Sequence, residues 1–320
     1  MLSVNEKAFS LVTELINEAE RYGVEVKETD SGTTLIDAGI RAEGGFSAGR
    51  LITEICLGGY GRAELSSQKL GEISIPAILV YTDHPAISTL GSQFAGWNVR
   101  YENYSAMGSG PARALALKPK ELYESISYRD ESDLAVIVLE TSKEPPEPVL
   151  SDIARKCRVD KDELYVILTP TTSLAGSVQI SGRVVETGMH RLTELGLDPK
   201  TVKYAWGIAP ISPPHPKTVK AMGRTNDAIT YGGVTGYCLY SEDEDSLKEI
   251  LRKAPSSASR SYGKPFAEIF KEAGYDFYKI DPGFFAPAMI TVTNVKTGNS
   301  FTAGKVNLDI LRESFGVHTL

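Results

Sequence analysis

Apolar and polar positions along this chain follow two periods, and the places where one gives way to the other mark its elements. Residues 8–21 carry apolar side chains at helical spacing and predict an amphipathic helix. A strand-like TTLIDAG follows, then the glycine-dense GGFSAGRLITEICLGGYGRAEL, then a second strand, IPAILVYT. The same order of strand, glycine-arginine turn, helix and strand returns in LYVILTPT, SVQISGRVVETGM and VKYAWGIAP. The spacings match closely, since Gly49 follows Asp37 by 12 residues and Gly182 follows Thr169 by 13. Ala106-Met107-Gly108 finds an echo in Ala221-Met222-Gly223. These matches read as an internal duplication.

Three prolines among charges in SKEPPEPV, residues 142–149, disfavour regular structure and read as a linker between a domain at 1–142 and another at 150–320. Residues 288–306 alternate like a hairpin closed near 297–299, so that the final segment, 286–320, is free to join either domain. Helices and strands mix without the regular alternation of a doubly wound fold. The expected class is therefore α+β, a mixed α/β arrangement of two domains. A length of 320 residues with 42% hydrophobic content supports two cores.

Residues 177–195 carry the sharpest candidate chemistry. Residues 178–180 read as the end of a strand, Ser181 as an N-cap, and Val184, Val185, Met189, Leu192 and Leu195 as the core stripe of a helix. Arg183, Glu186 and His190 fall on the other stripe. A guanidinium beside a carboxylate favours the ionised, base-competent form, and an arginine in a first helical turn opposes the helix dipole. The stripe is either a catalytic edge or a solvated face with a weak surface ion pair.

Residues 91–115, GSQFAGWNVRYENYSAMGSGPARAL, mix glycines, aromatics and amides and read as a ligand loop. Trp97, Tyr101 and Tyr104 offer stacking faces, and Gln93 and Asn98 offer groups that read a heterocycle edge. Gly108 to Pro111 with Arg113 suits an anion at a helix start, although the lysine and spacing of a P-loop are missing. A glycine-rich junction with ordinary packed aromatics is the competing account. Residues 209–216 and 281–289 are proline-rich turns suited to walling a pocket, or merely stiff loops.

Composition removes several classes of function. No apolar run reaches the length of a membrane span, and the amphipathic start does not resemble a signal peptide, so a cytoplasmic protein is expected. Cys56, Cys157 and Cys238 are too scattered for a disulfide framework or a zinc site. Glu186 and His190 have no evident third ligand, so no metal is expected; His84 and His215 precede prolines and His318 lies near the end. A net charge of -7 without basic patches argues against nucleic acid and suits a small cationic ligand. No G-x-S-x-G elbow supports a serine hydrolase.

The motifs ISGRVVETGMHR, GSQFAGW, YSAMGSGPARAL and WGIAPISPPHP together resemble the methenyltetrahydromethanopterin cyclohydrolase family over nearly the full length. The resemblance implies hydrolysis of the methenyl bridge of 5,10-methenyltetrahydromethanopterin to the 5-formyl compound, in methanogenesis-type one-carbon metabolism. It implies two α/β domains with the pterin pocket between them, a homo-oligomer, typically a trimer, and no metal or redox cofactor. The family's catalytic glutamate maps onto Glu186 and its neighbouring arginine onto Arg183. Gln93, Trp97, Tyr104 and Arg113 are assigned as substrate-binding by motif region alone. A non-catalytic pterin- or nucleotide-binding protein and an anion-binding transferase are the alternatives.

Overall fold

The structure, a computed structural model, describes residues 2–317, so that His318 lies outside the described residues. From the N-terminus the chain forms α1 (Val4–Asn17), α2 (Ala19–Tyr22), β1 (Glu25–Glu28), β2 (Thr34–Asp37), α3 (Phe46–Cys56), β3 (Gly61–Leu70) and β4 (Ile73–Thr82). A π-helix (Ala86–Gln93) leads to β5 (Trp97–Tyr101), β6 (Tyr104–Ser109), α4 (Ala112–Ala116), α5 (Lys120–Ile126), β7 (Ala135–Glu140), α6 (Glu147–Cys157), β8 (Leu164–Leu168) and α7 (Leu174–Ser181). The remainder is α8 (Val184–Glu194), β9 (Val202–Pro210), α9 (Thr218–Gly232), β10 (Val234–Leu239), α10 (Glu244–Lys253), α11 (Phe266–Glu272), β11 (Met289–Asn294), β12 (Ser300–Gly304) and α12 (Leu308–Phe315). The class is the expected mixed α/β.

Two compact units form, Met1–Arg62 with Ala86–Gln179 and Ala63–Pro85 with Ile180–Leu320. The first holds a six-stranded sheet in the order β1-β2-β8-β7-β6-β5. Its centre, β2, β8 and β7, is parallel, and antiparallel pairs flank it on both sides. Side chains alternate between two cores. Ile36, Val136, Val138 and Ile167 pack with α1, α3 and Ala175 of α7; Leu35, Ile137, Leu139, Val166 and Leu168 pack with α4 and α6. Both faces are covered, which is why β7 reads as an uninterrupted apolar run.

The expected boundary at 142–149 falls inside this unit, between β7 and α6. Pro146 is the N-cap of α6 and a further proline stands in its first turn, so the prolines start a helix rather than loosen a linker. The echoing blocks also distribute differently from one per unit. β2 and β8 are neighbours in the first sheet, and β4 and β9 are neighbours in the second, so each block gives one strand to both sheets. The matched glycines do different work: Gly49 lies within α3, where a Cβ would come 2.5 Å from Val178 of α7, and Gly182 separates α7 from α8. Residues 106–108 are in a strand and 221–223 in a helix.

The second unit holds a sheet in the order β12-β11-β10-β9-β4-β3. The final hairpin, β11 with β12, belongs here and forms antiparallel as expected, with β11 parallel to β10. One face is covered by α8 and α10. The opposite face carries Tyr81, Tyr204 and Trp206, which are 40%, 56% and 44% exposed. Trp206 lies directly across from Gly236, where a Cβ would come 2.3 Å from the indole nitrogen.

Helices α9, α11 and α12 pack around Tyr231, Phe266, Phe270, Phe284 and Phe315. Within that apolar cluster Asp227 accepts hydrogen bonds from the Phe266 N–H at 2.9 Å and from the Ser314 hydroxyl at 2.6 Å. Burial pushes its carboxyl up to about 7 against these two donors. The folded chain therefore keeps a proton that the unfolded chain releases between about pH 4 and 7, and this group's contribution to stability is lost as pH rises through that window. Asp227→Asn should remove a slope of about 1.4 kcal/mol per pH unit. Urea titrations of both proteins should show the variant gaining on the parent from about pH 4 to about pH 8.

Candidate functional site

Residues 174–181 form a helix where 178–180 read as a strand. Residues 177–181 alternate polar and apolar with the period of a strand, yet Ser177, Gln179 and Ser181 are buried along with Val178 and Ile180, so the alternation marks no exposed face. Ser181 does not cap α8. Its hydroxyl donates to the Pro210 carbonyl at 2.9 Å and ties the start of α8 to the end of β9. Arg183 occupies the N-cap position instead, with φ -83° and ψ 2°.

Three glycines let α8 lie close on the sheet. A Cβ at Gly207 would come 3.0 Å from Val184, one at Gly233 2.9 Å from Val184, and one at Gly188 2.2 Å from the Tyr237 hydroxyl. That hydroxyl donates to the Val185 carbonyl at 2.8 Å. Burial pushes the Tyr237 phenol well above its ordinary range, and the charge of Glu186 adds to the effect. The core stripe of α8 is thus fixed by packing and by a hydrogen bond to its own backbone.

The other stripe is not the solvated face that spacing alone allows. Arg183 and Glu186 have side chains only 9% and 7% exposed, with Nη1 and Oε2 3.8 Å apart. That is an ion-pair distance, longer than a hydrogen bond. Glu186 stands in the first turn of α8, where the helix dipole favours its charge, while Arg183 opposes the dipole. His190, one turn further on, is half-buried. Taking two charges out of water is costly, so such a pair is weak evidence of a stability role and a reason to look for chemistry. Among the described residues no group of three or more His, Cys, Asp or Glu is placed to hold a metal ion.

In the first unit, residues 91–115 are mostly regular structure, comprising the end of the π-helix, the β5–β6 hairpin and α4. Trp97 and Tyr104 belong to the apolar cluster on the α6 side of the sheet, with the Lys156 ammonium 5.9 Å from the Trp97 ring centre. Gln93, the last residue of the π-helix, is fully buried. Arg113 is also fully buried. Its Nε donates to the Lys118 carbonyl at 2.8 Å, and its Nη1 to those of Leu90 and Ser92 at 3.2 and 3.0 Å. The guanidinium lies 5.2 Å from the Phe94 ring centre and 5.6 Å from that of Tyr123. The proposed anion cradle is turned inward as well, since the Gly110 N–H donates to the Ser92 carbonyl and the Arg113 N–H to that of Gly110.

The structure brings Arg183 and Glu186 together in one unit, and buries Arg113 and Gln93 in the other. It also shows a polar group that pattern reading passed over, at the carboxyl ends of β7 and β8. There the Thr171 hydroxyl donates to Glu140, and Thr169 is fully buried. The available signal was that two strongly apolar strands each end abruptly in polar residues. A groove of about 530 Å³ beside β1, with Lys27, Asp30, Glu144 and Leu35 among its walls, contains none of the six predicted site residues.

Comparison with known proteins supplies the class: residues 3–315 match the family model described as Cyclohydrolase (MCH). The chain belongs to that family and is an enzyme, a cyclohydrolase. The methenyltetrahydromethanopterin cyclohydrolase of Methanothermobacter marburgensis is 49% identical over 322 residues, covering 99% of this chain and 100% of its own. That of Methanocaldococcus jannaschii is 47% identical over 319 residues, with 99% of each chain covered. The protein of that name in Methanococcoides burtonii is 46% identical over 317 residues, again with 99% of each covered.

Arg113 now allows packing and ligand roles to be separated. Arg113→Met keeps the volume but removes its donors to the Leu90 and Lys118 carbonyls and one of two donors to that of Ser92, and buried groups left unsatisfied cost about 1–3 kcal/mol each. Denaturant unfolding should show a loss of at least about 2 kcal/mol. A variant as stable as the parent would assign Arg113 to the ligand instead.

Proposed function

We propose that the chain hydrolyses 5,10-methenyltetrahydromethanopterin to 5-formyltetrahydromethanopterin, with Glu186 as the general base. The names of relatives that match it end to end support the substrate. The observation that carries the mechanism is the spacing of the buried pair. At 3.8 Å, the Arg183 cation lies beside the carboxylate without a hydrogen bond from Nη1 to Oε2.

The methenyl carbon lies between two nitrogens and shares their positive charge, so it is electrophilic without further activation. Water attacks it while Glu186 takes one of the water's protons, giving a neutral tetrahedral carbinolamine. Glu186 then returns that proton to the departing arylamine nitrogen, the bond from carbon to that nitrogen breaks, and the carbinol O–H becomes the formyl carbonyl as its proton leaves to solvent. One water is consumed and one proton released, matching the loss of the substrate's positive charge. A positioned proton shuttle of this kind contributes about 10²–10⁴ in rate.

This reading requires no metal and no redox cofactor, because the electrophile carries its own charge. It takes the enzyme to act in the cytoplasm, within methanogenesis-type one-carbon metabolism, as a homotrimer. Gln93, Trp97, Tyr104 and Arg113 remain its candidates for the pterin, with Arg113 and the two aromatics acting through the shape of the first unit.

Loss of the methenyl absorbance on mixing protein with substrate tests the reaction directly. Glu186→Gln should reduce turnover by about 10²–10⁴ while retaining substrate binding; wild-type turnover in that variant would remove Glu186 as the base. Arg183→Ala should be slower, and the acid limb of its rate profile should move to higher pH, because a carboxylate without its cation is harder to ionise. An unchanged profile would make Arg183 a packing neighbour only.

A further inference from the structure

The parallel strands of the first sheet change the side of their connections between β7 and β8. β7 leads into α6, whose Val149, Leu150 and Ile153 pack on one face, while β8 leads into α7, whose Ala175 packs on the other. The two connections thus pass to opposite faces of the sheet, and Glu140 and Thr169 stand at the carboxyl ends of these neighbouring strands. Ligands of open α/β sheets bind outside the carboxyl ends of the strands.

The residues there are polar and incompletely matched. By strand alternation Glu140 follows Val138 onto the α3 side of the sheet, and Thr169 follows Ile167 onto the same side. The Thr169 N–H continues the ladder by donating to the Leu139 carbonyl at 3.0 Å, which sets the two side chains in one row. Met107 of β6 is the register partner of Glu140, and Asn98 of β5 is that of Met107; both side chains are exposed. Glu140, half-buried, accepts one hydrogen bond from Thr171 and forms no ion pair among the described residues. Thr169 is fully buried, and its hydroxyl has no hydrogen-bond partner among them.

Buried hydroxyls and carboxylates are normally satisfied, and each exception calls for a reason. A carboxylate only accepts, and Glu140 therefore suits a ligand edge that presents N–H donors in a plane. We infer that the crevice formed by Glu140, Thr169 and Thr171 binds the 2-amino-4-oxopyrimidine edge of the substrate's heterocycle. The Glu140 carboxylate takes the two adjacent N–H groups, the Thr169 hydroxyl donates to the carbonyl, and the exposed Met107 thioether lies in the same row as an apolar surface for the ring. This rests on the proposed function for the identity of the ligand, and on the first unit alone for the site.

Competition with two small pteridines tests it. Against the parent enzyme a 2-amino-4-oxopteridine should inhibit hydrolysis at least about tenfold better than a 2,4-dioxopteridine, which replaces the amino donor by a carbonyl. Glu140→Gln, similar in shape but presenting an N–H₂ to the ligand, should abolish that preference and raise KM for methenyltetrahydromethanopterin about tenfold or more. Thr169→Val should raise KM severalfold while melting no lower than the parent, since it removes an unsatisfied hydroxyl. Equal inhibition by the two pteridines, or an unchanged KM in Glu140→Gln, overturns the inference while leaving hydrolysis intact. If the parent does not turn over, the proposed function fails, and titrating both pteridines against the protein's fluorescence still decides the crevice: preference for the amino compound supports it, and equal or absent binding overturns it.

Discussion

The close approach of α8 to β9 is the constraint on which the candidate catalytic pair depends. Arg183 and Glu186 share one helix, so rocking of that helix would not part them but would carry both, nearly dry as they are, out to water. Here the helix is seated on Gly207 and Gly233, faces Tyr237 through Gly188, and is tied at its start by Ser181 to the end of β9. Tyr237 bonds to a backbone carbonyl of the helix, so it fixes the depth of α8 independently of any side chain on its outer stripe. Rigidity of this kind holds a catalytic carboxylate in place before substrate arrives.

The first unit is organised by a different need, that of a parallel sheet covered on both faces. With β7 and β8 sending their connections to opposite sides, their ends are left to polar side chains rather than to the core. Arg113 serves the same unit from the edge, donating to the carbonyls of residues 90, 92 and 118. As at any helix end, the last carbonyls of the preceding π-helix lack partners within the helix, and Arg113 supplies donors to two of them.

What could be read from the chain before its structure follows from the physics of each segment. The outer stripe of α8 was legible because one face is apolar and the other charged, so a period of 3.6 survives in the sequence. α7 was not, because its buried Ser177, Gln179 and Ser181 alternate with Val178 and Ile180 at the period of a strand. Residues 91–115 resembled a loop because glycines and amides dominate them, yet the alternation in β5 and β6 and a two-residue turn at Glu102 and Asn103, the first with φ 48°, close them into a hairpin. The division into units could not be found along the chain at all, since β3 and β4 leave one unit for the other and the chain then returns. The pairing of Glu140 with Thr169 depends on strand neighbours separated by a helix, a relation that local pattern does not contain.

The two tryptophans divide between the units, one in each. Trp97 is enclosed in an apolar cluster, whereas Trp206 lies 44% exposed on the open face of the other sheet. Their emission therefore separates into a blue component from the first unit and a red, readily quenched component from the second. The protein carries an intrinsic optical label for each half, by which the order in which the two units melt can be followed in a single unlabelled sample.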